Sequence, residues 1–407
     1  MSDLNFLFLQ GPRSPFFSRI ANELSTLGCG VFGINVCIGD RLVWCGSNTS
    51  NYRGRLADWP TYLSAFLEKN KITDIVLLGE QRSYHKPAID LAKSLNIRVT
   101  VTDFGYLRPD WITLEKEGMS GHSKFPKDPA TLLSLAEKAP PVSLERRYED
   151  SFWTMAYGDM QYDFSCFFLG WLYPHYRRSY KRDLSIVYYP AMGLRLLLGK
   201  HGHKRAQQRL AVLKSEQARY FVFPLQLEND FQIIAYSPFD SIKVAIELVL
   251  KSFAKHANPE VRLLFKIHPW DPGLTNWKKF IFTSADKLGI AQRMDYLEGG
   301  NLEDIYLSSE GVVTINSTAA ITALQLGLPV KALGDAIYDI EGMTYQGSLD
   351  SYWIQAKQPD KSLVDAFIKA IVSTIQIRGV YYSEPGLTAA VNEAVLRLYH
   401  QKVGELL

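Results

Sequence analysis

Long apolar runs are scarce in this 407-residue chain. The longest, FFLGWLY at 167 to 173, falls far short of the ~20 residues a membrane-spanning helix needs. The opening, MSDLNFLFLQGPRSPFF, lacks the basic segment and extended apolar core of a signal peptide, and its run from Phe6 to Leu9 reads as a strand. The expectation is a cytoplasmic protein that is not integral to a membrane. Cysteine is scarce too. Cys29, Cys37, Cys45 and Cys166 form no CxxC pair, which points to reduced thiols and away from a disulfide framework or a zinc site. There is no P-loop motif (GxxxxGKS or GxxxxGKT) and no clean GxGxxG, so phosphate loops of the ATP or NAD kind are not supported. No second histidine stands at ligand spacing from His268, and no structural metal is expected.

What is present is the balance of a soluble globular protein, 47% hydrophobic and 21% charged, at a length that suggests two domains. The net charge of +3 hides an asymmetry. Between Trp171 and Leu210 stand nine basic residues (Arg177, Arg178, Lys181, Arg182, Arg195, Lys200, Lys204, Arg205 and Arg209) and one acid, Asp183. Mixed with Trp171, Tyr173, Tyr176 and Tyr180, this belt reads either as a docking surface for nucleic acid or an anionic membrane, or as a solvated helical face.

Strand and helix alternate over the first third. NFLFLQ, GVFGINVC, ITDIVLLG and IRVTVTD read as strands, with SPFFSRIANELSTLG, DWPTYLSAFLEKNK and KPAIDLAKSLN as the helices between them. Residues 104 to 150 look irregular, and 150 to 215 mostly helical. A second alternating series follows: ARYFVFPLQ, VRLLFKIHP, GVVTIN and LPVKAL as strands, SPFDSIKVAIELVLKSFAKHA and STAAITALQLG as helices. Helical segments near 361 to 378 and 386 to 402 close the chain. The expected fold is α/β, with two Rossmann-like domains facing a cleft and a helical segment between them. The expected boundaries are 1–150, a basic helical segment at 151–215, 216–360, and closing helices at 361–407.

In such sheets ligands sit beyond the carboxyl ends of the strands. FKIHPWDPG places His268 at a strand end, where Pro269 restricts its backbone to extended geometry. Lys266 and Asp271 flank it, and a hydrogen-bond donor to phosphate or a general acid is as good a reading as a structural histidine. VVTINSTAAITALQLG ends a strand at Asn316 and opens a helix with Ser317 and Thr318, either a phosphate site or an ordinary N-cap. PLQLENDFQI places Glu228 and Asp230 after a strand, as a nucleophile or base, or as a turn. Gln10, Glu80 and Asp103 end strands in the first series. The loops around GEQRSYHKP and DFGYLRPDWITLEKEGM carry Arg82, His85, Arg108 and Glu115, either ligand groups or a buried salt-bridged loop.

Eight segments in order resemble one family, the bacterial capsule polysaccharide β-Kdo transferases of the KpsS (LipB) type: LQGPRSPFFSRIANEL, YRG at 52 to 54, GEQRSYHKPAI, GYLRPDWITLEKEGM, PLQLENDFQI, KIHPW, NSTAAITALQLGLPV and LGDAIYDIEGMTYQGSLDSYW. The resemblance implies a GT-B fold, a CMP-Kdo donor and a phosphatidylglycerol-type acceptor at the inner face of the cytoplasmic membrane. It also implies other capsule biosynthesis and export proteins as partners, and no nucleic acid or cofactor. It makes Asp230 the nucleophile of a retaining transfer, and His268, Pro269, Lys266, Asn316, Ser317 and Thr318 the donor-binding set. Asp103 takes an acidic position before GYLRP where the family usually writes two acids, the second here being Phe104. Gln10, Arg13, Arg82, His85, Arg108 and Glu115 are assigned to the acceptor or cleft loops. Trp171, Arg177, Arg178, Lys181 and Arg182 are assigned to the membrane face. A sialyltransferase-like CMP-sugar enzyme and a non-catalytic capsule-assembly partner are the alternatives.

Overall fold

A computed structural model describes residues 4–178, 185–228 and 230–406. The chain forms two compact units. The first comprises residues 1–125, 139–181 and 369–407, and the second residues 126–138 and 182–368.

The sheet of unit 1 contains β1 (Asn5–Phe8), β2 (Gly30–Asn35), β3 (Thr49–Asn51), β4 (Asp74–Leu78), β5 (Arg98–Phe104), β6 (Trp111–Lys116) and β12 (Gln376–Arg378). Its order is β12-β6-β5-β4-β1-β2-β3. The five strands β3-β2-β1-β4-β5 are parallel, and β6 runs antiparallel to both β5 and β12. The sheet of unit 2 contains β7 (Tyr220–Pro224), β8 (Arg262–Lys266), β9 (Met294–Leu297), β10 (Gly311–Thr314) and β11 (Val330–Ala332), parallel throughout, in the order β11-β10-β7-β8-β9. Numbered within each unit, both parallel sets have the order 3-2-1-4-5 of a Rossmann-like sheet. The expected α/β class with two such domains is observed.

The central strands β4 (DIVLL) and β7 (YFVFP) are buried along their whole length. Helices cover both faces of a parallel sheet, so its inner strands read as continuous apolar runs. The helix Ile242–His256 buries Ile242, Ala245, Ile246, Val249, Leu250 and Phe253, an i, i+3, i+4, i+7 stripe laid on the core of unit 2. Ser241 Oγ caps it by accepting the Lys243 N–H at 3.2 Å. Truncating a side chain such as Phe253, fully buried in that core, costs about 3–5 kcal/mol.

The boundaries differ from those expected. The 151–215 segment is no separate body: the helix Phe152–Phe168 belongs to unit 1 and the helix Ser185–Ser215 to unit 2. The closing segment is shared as well. The helix predicted over 361 to 378 ends at Thr374, and β12 then pairs with β6. The helix Gly386–Tyr399 packs Leu387, Ala390, Val391 and Leu398 against Phe6, Phe16 and Leu24. Exposed apolar edges on the first sheet draw the end of the chain back to its beginning. The stretch taken as irregular, 104 to 150, contains β6 and the helix Pro129–Lys138.

Candidate functional site

In unit 2 the strand order reverses at β7, whose neighbours are β8 and β10. The carboxyl ends of these three strands deliver the sequence candidates. β8 ends in Lys266, which is buried, and its Nζ reaches the Ile267 carbonyl at a long 3.4 Å. It forms no carboxylate ion pair among the described residues. Burial holds its ammonium below the ordinary lysine range. His268 follows, with Nδ1 accepting the Trp270 N–H at 3.1 Å. That bond places the proton of a neutral imidazole on Nε2, as a donor. The loop beyond is pinned by Asp271, which accepts the Gly273 N–H at 2.7 Å and Trp277 Nε1–H at 2.9 Å. Gly273 turns there at φ +75°, a conformation suited to glycine.

Gln226 and Asn316 bind each other across β7 and β10. Gln226 Nε2 donates to Asn316 Oδ1 at 3.0 Å, and Asn316 N–H donates to Gln226 Oε1 at 3.3 Å. Asn316 Nδ2 also donates to the Tyr236 carbonyl at 3.2 Å. Asn316, expected to touch the donor, is thereby engaged in holding two strand ends. Ser317 Oγ accepts the Ala319 N–H at 3.2 Å, and Thr318 precedes the seven-residue helix Ala319–Gln325 without a side-chain cap bond. After β7, Glu228 Oε1 accepts from Ser241 Oγ at 2.7 Å, while Glu228 Oε2 is buried and makes no hydrogen bond. Asp230 heads the helix Phe231–Tyr236, its carbonyl accepting the Ile233 N–H at 3.1 Å.

Unit 1 gathers polar groups at its own carboxyl end. Gln10 Nε2 donates to Asp40 Oδ1 at 3.1 Å, Tyr162 OH donates to the same oxygen at 2.7 Å, and Asp40 Oδ2 accepts the Val36 N–H at 3.0 Å. Arg13 pairs with Asp159 at 3.2 Å and Asp163 at 3.1 Å, and Arg178 also reaches Asp163 at 3.2 Å. Gln10 and Arg13, assigned to an acceptor site, are therefore bound to the helix Phe152–Phe168. Gly39 permits the approach, since a Cβ there would lie 2.6 Å from the Tyr162 ring. Glu80 accepts the Met119 N–H at 2.5 Å and meets His122 Nδ1 at 2.9 Å.

His85 is fully buried. Its Nδ1 faces the Gly79 carbonyl at 2.8 Å, and its Nε2 makes no hydrogen bond. Burial, with help from the Arg82 charge, pushes its pKa down to about 3, so it is neutral. Asp103 ends β5. Burial raises its carboxyl above the ordinary range, while the Phe104 N–H, Arg82 and Arg108 pull the other way. Arg108 lies over the Phe104 ring at 4.9 Å. Glu115 is a correction: it lies inside β6, not on a loop, and is 2% exposed. It accepts from Tyr106 OH at 2.6 Å and from Ser123 Oγ, and burial pushes its pKa up to about 7.

The basic belt is not one solvated surface. Arg209 pairs with Asp295 at 2.6 Å and Arg178 is held by Asp163, whereas Arg177 and Trp171 are exposed. Lys181 and Arg182 lie outside the described residues. Two residues escaped the sequence reading. Gln226 acts only through Asn316, and its role needs the adjacency of β7 and β10. Arg195 was seen only as one of the belt's charges, yet a Cβ at Gly273 would lie 3.1 Å from its Nη1, so its guanidinium packs on the loop after His268. Among the described residues no group of three or more His, Cys, Asp or Glu side chains is placed to hold a metal ion.

Residues 73–382 match the family model described as capsule polysaccharide biosynthesis protein. The capsule polysaccharide export protein KpsS of Escherichia coli is 30% identical over 392 residues, covering 94% of this chain and 98% of KpsS. The capsule polysaccharide modification protein LipB of Neisseria meningitidis serogroup B is 29% identical over 394 residues, covering 93% and 92%. Among solved structures, the β-Kdo 2,7 transferase KpsC of Thermosulfurimonas dismutans aligns over 98% of this chain and 99% of its own, at 14% identity and a TM-score of 0.46. On the strength of the family model and the full-length relatives, the chain belongs to the capsule polysaccharide biosynthesis protein family.

Proposed function

We propose that this protein is a retaining glycosyltransferase that moves Kdo from CMP-β-Kdo to a phosphatidylglycerol-type lipid, starting the poly-Kdo linker of a capsular polysaccharide. The observation that carries the reading is the carboxyl end of the unit 2 sheet. There a buried lysine with no carboxylate partner among the described residues lies two residues from an imidazole whose Nε2 is set as a donor. That pair suits a ligand with phosphate and carboxylate groups, and CMP-Kdo has both. Lys266 and His268 bind these anionic groups, and Ser317 and Thr318 offer further donors beside β10. Pro269 keeps the His268 backbone extended.

The resemblance to β-Kdo transferases supplies the sugar and the stereochemistry. The Asp230 carboxylate attacks the anomeric carbon and CMP departs with the bonding pair. The acceptor hydroxyl then attacks the glycosyl-enzyme ester, frees Asp230 and gives up its proton. Asp103, whose carboxyl burial raises above the ordinary range, is the second carboxyl of the proposal. Arg82, His85 and Arg108 are proposed for the acceptor. No metal or cofactor enters the scheme. The protein would work at the inner face of the cytoplasmic membrane, alongside other capsule biosynthesis and export proteins.

The test is incubation with CMP-Kdo and a fluorescent phosphatidylglycerol, with products read by mass spectrometry. Addition of Kdo to the lipid is the expected result. Consumption of CMP-sialic acid in place of CMP-Kdo would make the protein another CMP-sugar transferase. Failure to release CMP from either donor would leave a non-catalytic assembly partner.

A further inference from the structure

The helix Phe152–Phe168 is built inside out. Its inward face is polar: Asp159 and Asp163 pair with Arg13, Tyr162 bonds to Asp40, and Cys166 lies in hydrogen-bond contact with Cys37. Its outward face is apolar. Trp153, Tyr157, Met160, Phe164, Phe167 and Phe168 recur at spacings of three and four, which puts them on one strip roughly 100° wide. Trp153 is 77% exposed, Tyr157 64% and Phe168 65%, and Trp171 just beyond the helix is 72% exposed. A surface helix ordinarily turns such a strip toward the core, and a contiguous exposed apolar patch marks an interaction site.

We propose that this strip, continued by Trp171, inserts into the headgroup region of an anionic bilayer and seats the enzyme on the membrane that holds its acceptor. The inference rests on the lipid-acceptor reading above. Charge complementarity selects the occupant. From residue 152 to 178 the acids are Asp159 and Asp163, and both turn inward to arginines. The outward side thus carries no acid, and the chain leaves it through exposed Arg177. The side chains are sorted as an interface requires. Tryptophan and tyrosine, apolar bodies with polar tips, stand toward the ends, and phenylalanines occupy the stretch between. At ~1.5 Å per residue the helix is about 25 Å long, too short to cross a bilayer and suited to lying in its surface plane.

The experiment is co-sedimentation of the full-length protein with vesicles of phosphatidylcholine alone, or containing about 30% phosphatidylglycerol. It uses wild type and the double variant Trp153→Ser/Phe168→Ser. Wild type is expected to pellet with the anionic vesicles and to keep a bound fraction at about 0.5 M salt, where screening removes purely electrostatic attraction. Its indole emission should shift to the blue on binding. The variant should bind at least roughly ten-fold more weakly, lose the salt-resistant fraction and the emission shift, and keep its melting temperature and its turnover on a short water-soluble acceptor. Vesicle binding equal to wild type overturns the proposal. So does a wild-type dimer in light scattering that the variant converts to monomer, since a second copy would then cover the strip. If no acceptor of any kind is glycosylated by wild type, the transferase reading fails, while the vesicle measurement still decides the role of the strip.

Discussion

The two units build the same parallel order, and they use its carboxyl end in opposite ways. In unit 1 several polar side chains beyond the strands are spent on one another, although His85 keeps an unbonded Nε2. Gln10 and Tyr162 share Asp40, Arg13 takes Asp159 and Asp163, and Glu80 takes His122. In unit 2 the corresponding ends keep groups in hand: Lys266, with no carboxylate partner among the described residues, and Glu228, with one oxygen unbonded. Buried polar atoms are nearly always satisfied, and leaving one unmade costs about 1–3 kcal/mol. That cost is retained at Glu228, beside the strand-order reversal of unit 2, and in unit 1 at His85, whose Nε2 is likewise unbonded. In unit 1 Gln10, Arg13 and Asp40 are spent on holding a helix.

The sharpest way to break that contrast is to separate activity from stability in each unit. Asp230→Ala should lower transfer by roughly a thousand-fold or more, with melting unchanged to within a few degrees, because solvent does not replace a covalent nucleophile. Near-normal turnover in a folded variant would remove Asp230 from the mechanism.

Glu115 should behave in the reverse way. Its pKa is pushed up to about 7 from a usual 4.5, so the folded state holds a proton that the unfolded chain has released. Stability is then greatest below pH 4.5 as far as this group is concerned, falls as pH rises through that window, and levels off above 7. The loss amounts to about 3 kcal/mol. Glu115→Gln should flatten the melting profile between pH 5 and 8 and leave the rate of transfer within about two-fold. An unaltered profile would show that the carboxyl is not the buried acid described here.

Lys266→Met should change both properties, in opposite directions. Burial lowers the lysine pKa in the folded state, so its charge costs stability in full below the folded value. The cost fades as pH climbs toward about 10.5, the ordinary lysine value. The variant should therefore melt a few degrees higher at neutral pH, with a gain that shrinks at alkaline pH. Its affinity for CMP-Kdo should fall by roughly ten-fold, the worth of a charge-assisted hydrogen bond. Calorimetry of donor binding beside a melting series checks both, and a variant that binds the donor normally would break the assignment.

The smallest effect belongs to Arg177→Ala. One arginine near an anionic surface is worth about 1 kcal/mol, a loss of about five-fold in vesicle affinity at low salt and little at high salt. Activity on a soluble acceptor should not change. Equal loss on neutral and anionic vesicles would argue against a charge effect.

Much of this architecture was legible in the sequence, because parallel strands covered on both faces must be apolar throughout. ITDIVLLG and ARYFVFPLQ could scarcely be anything else. The strands that escaped are short or depend on a distant partner. β12 was read as the tail of a helix, and QIR becomes a strand only because β6 offers an edge. β6 was hidden by Glu115, a poor strand residue until Tyr106 satisfies it. The site divides in the same manner. His268 and its proline lock could be read from neighbours in the chain. The engagements of Gln10 and Arg13 could not, since their partners on the helix Phe152–Phe168 lie about 150 residues away.

The return of the chain through β12 and the helix Gly386–Tyr399 bears on how the protein is made. Unit 2 is encoded inside unit 1, and its residues are synthesised before the last pieces of unit 1. The domain that starts second can finish first. Until then β6 presents an unpaired edge, and Phe16 waits for Tyr381, whose ring it meets at 5.1 Å. A nascent chain in that state carries a sticky edge beside a completed domain. Truncation between residues 369 and 399 would strip β6 and Phe16 of these partners and cost far more than the loss of an equal length from a surface loop.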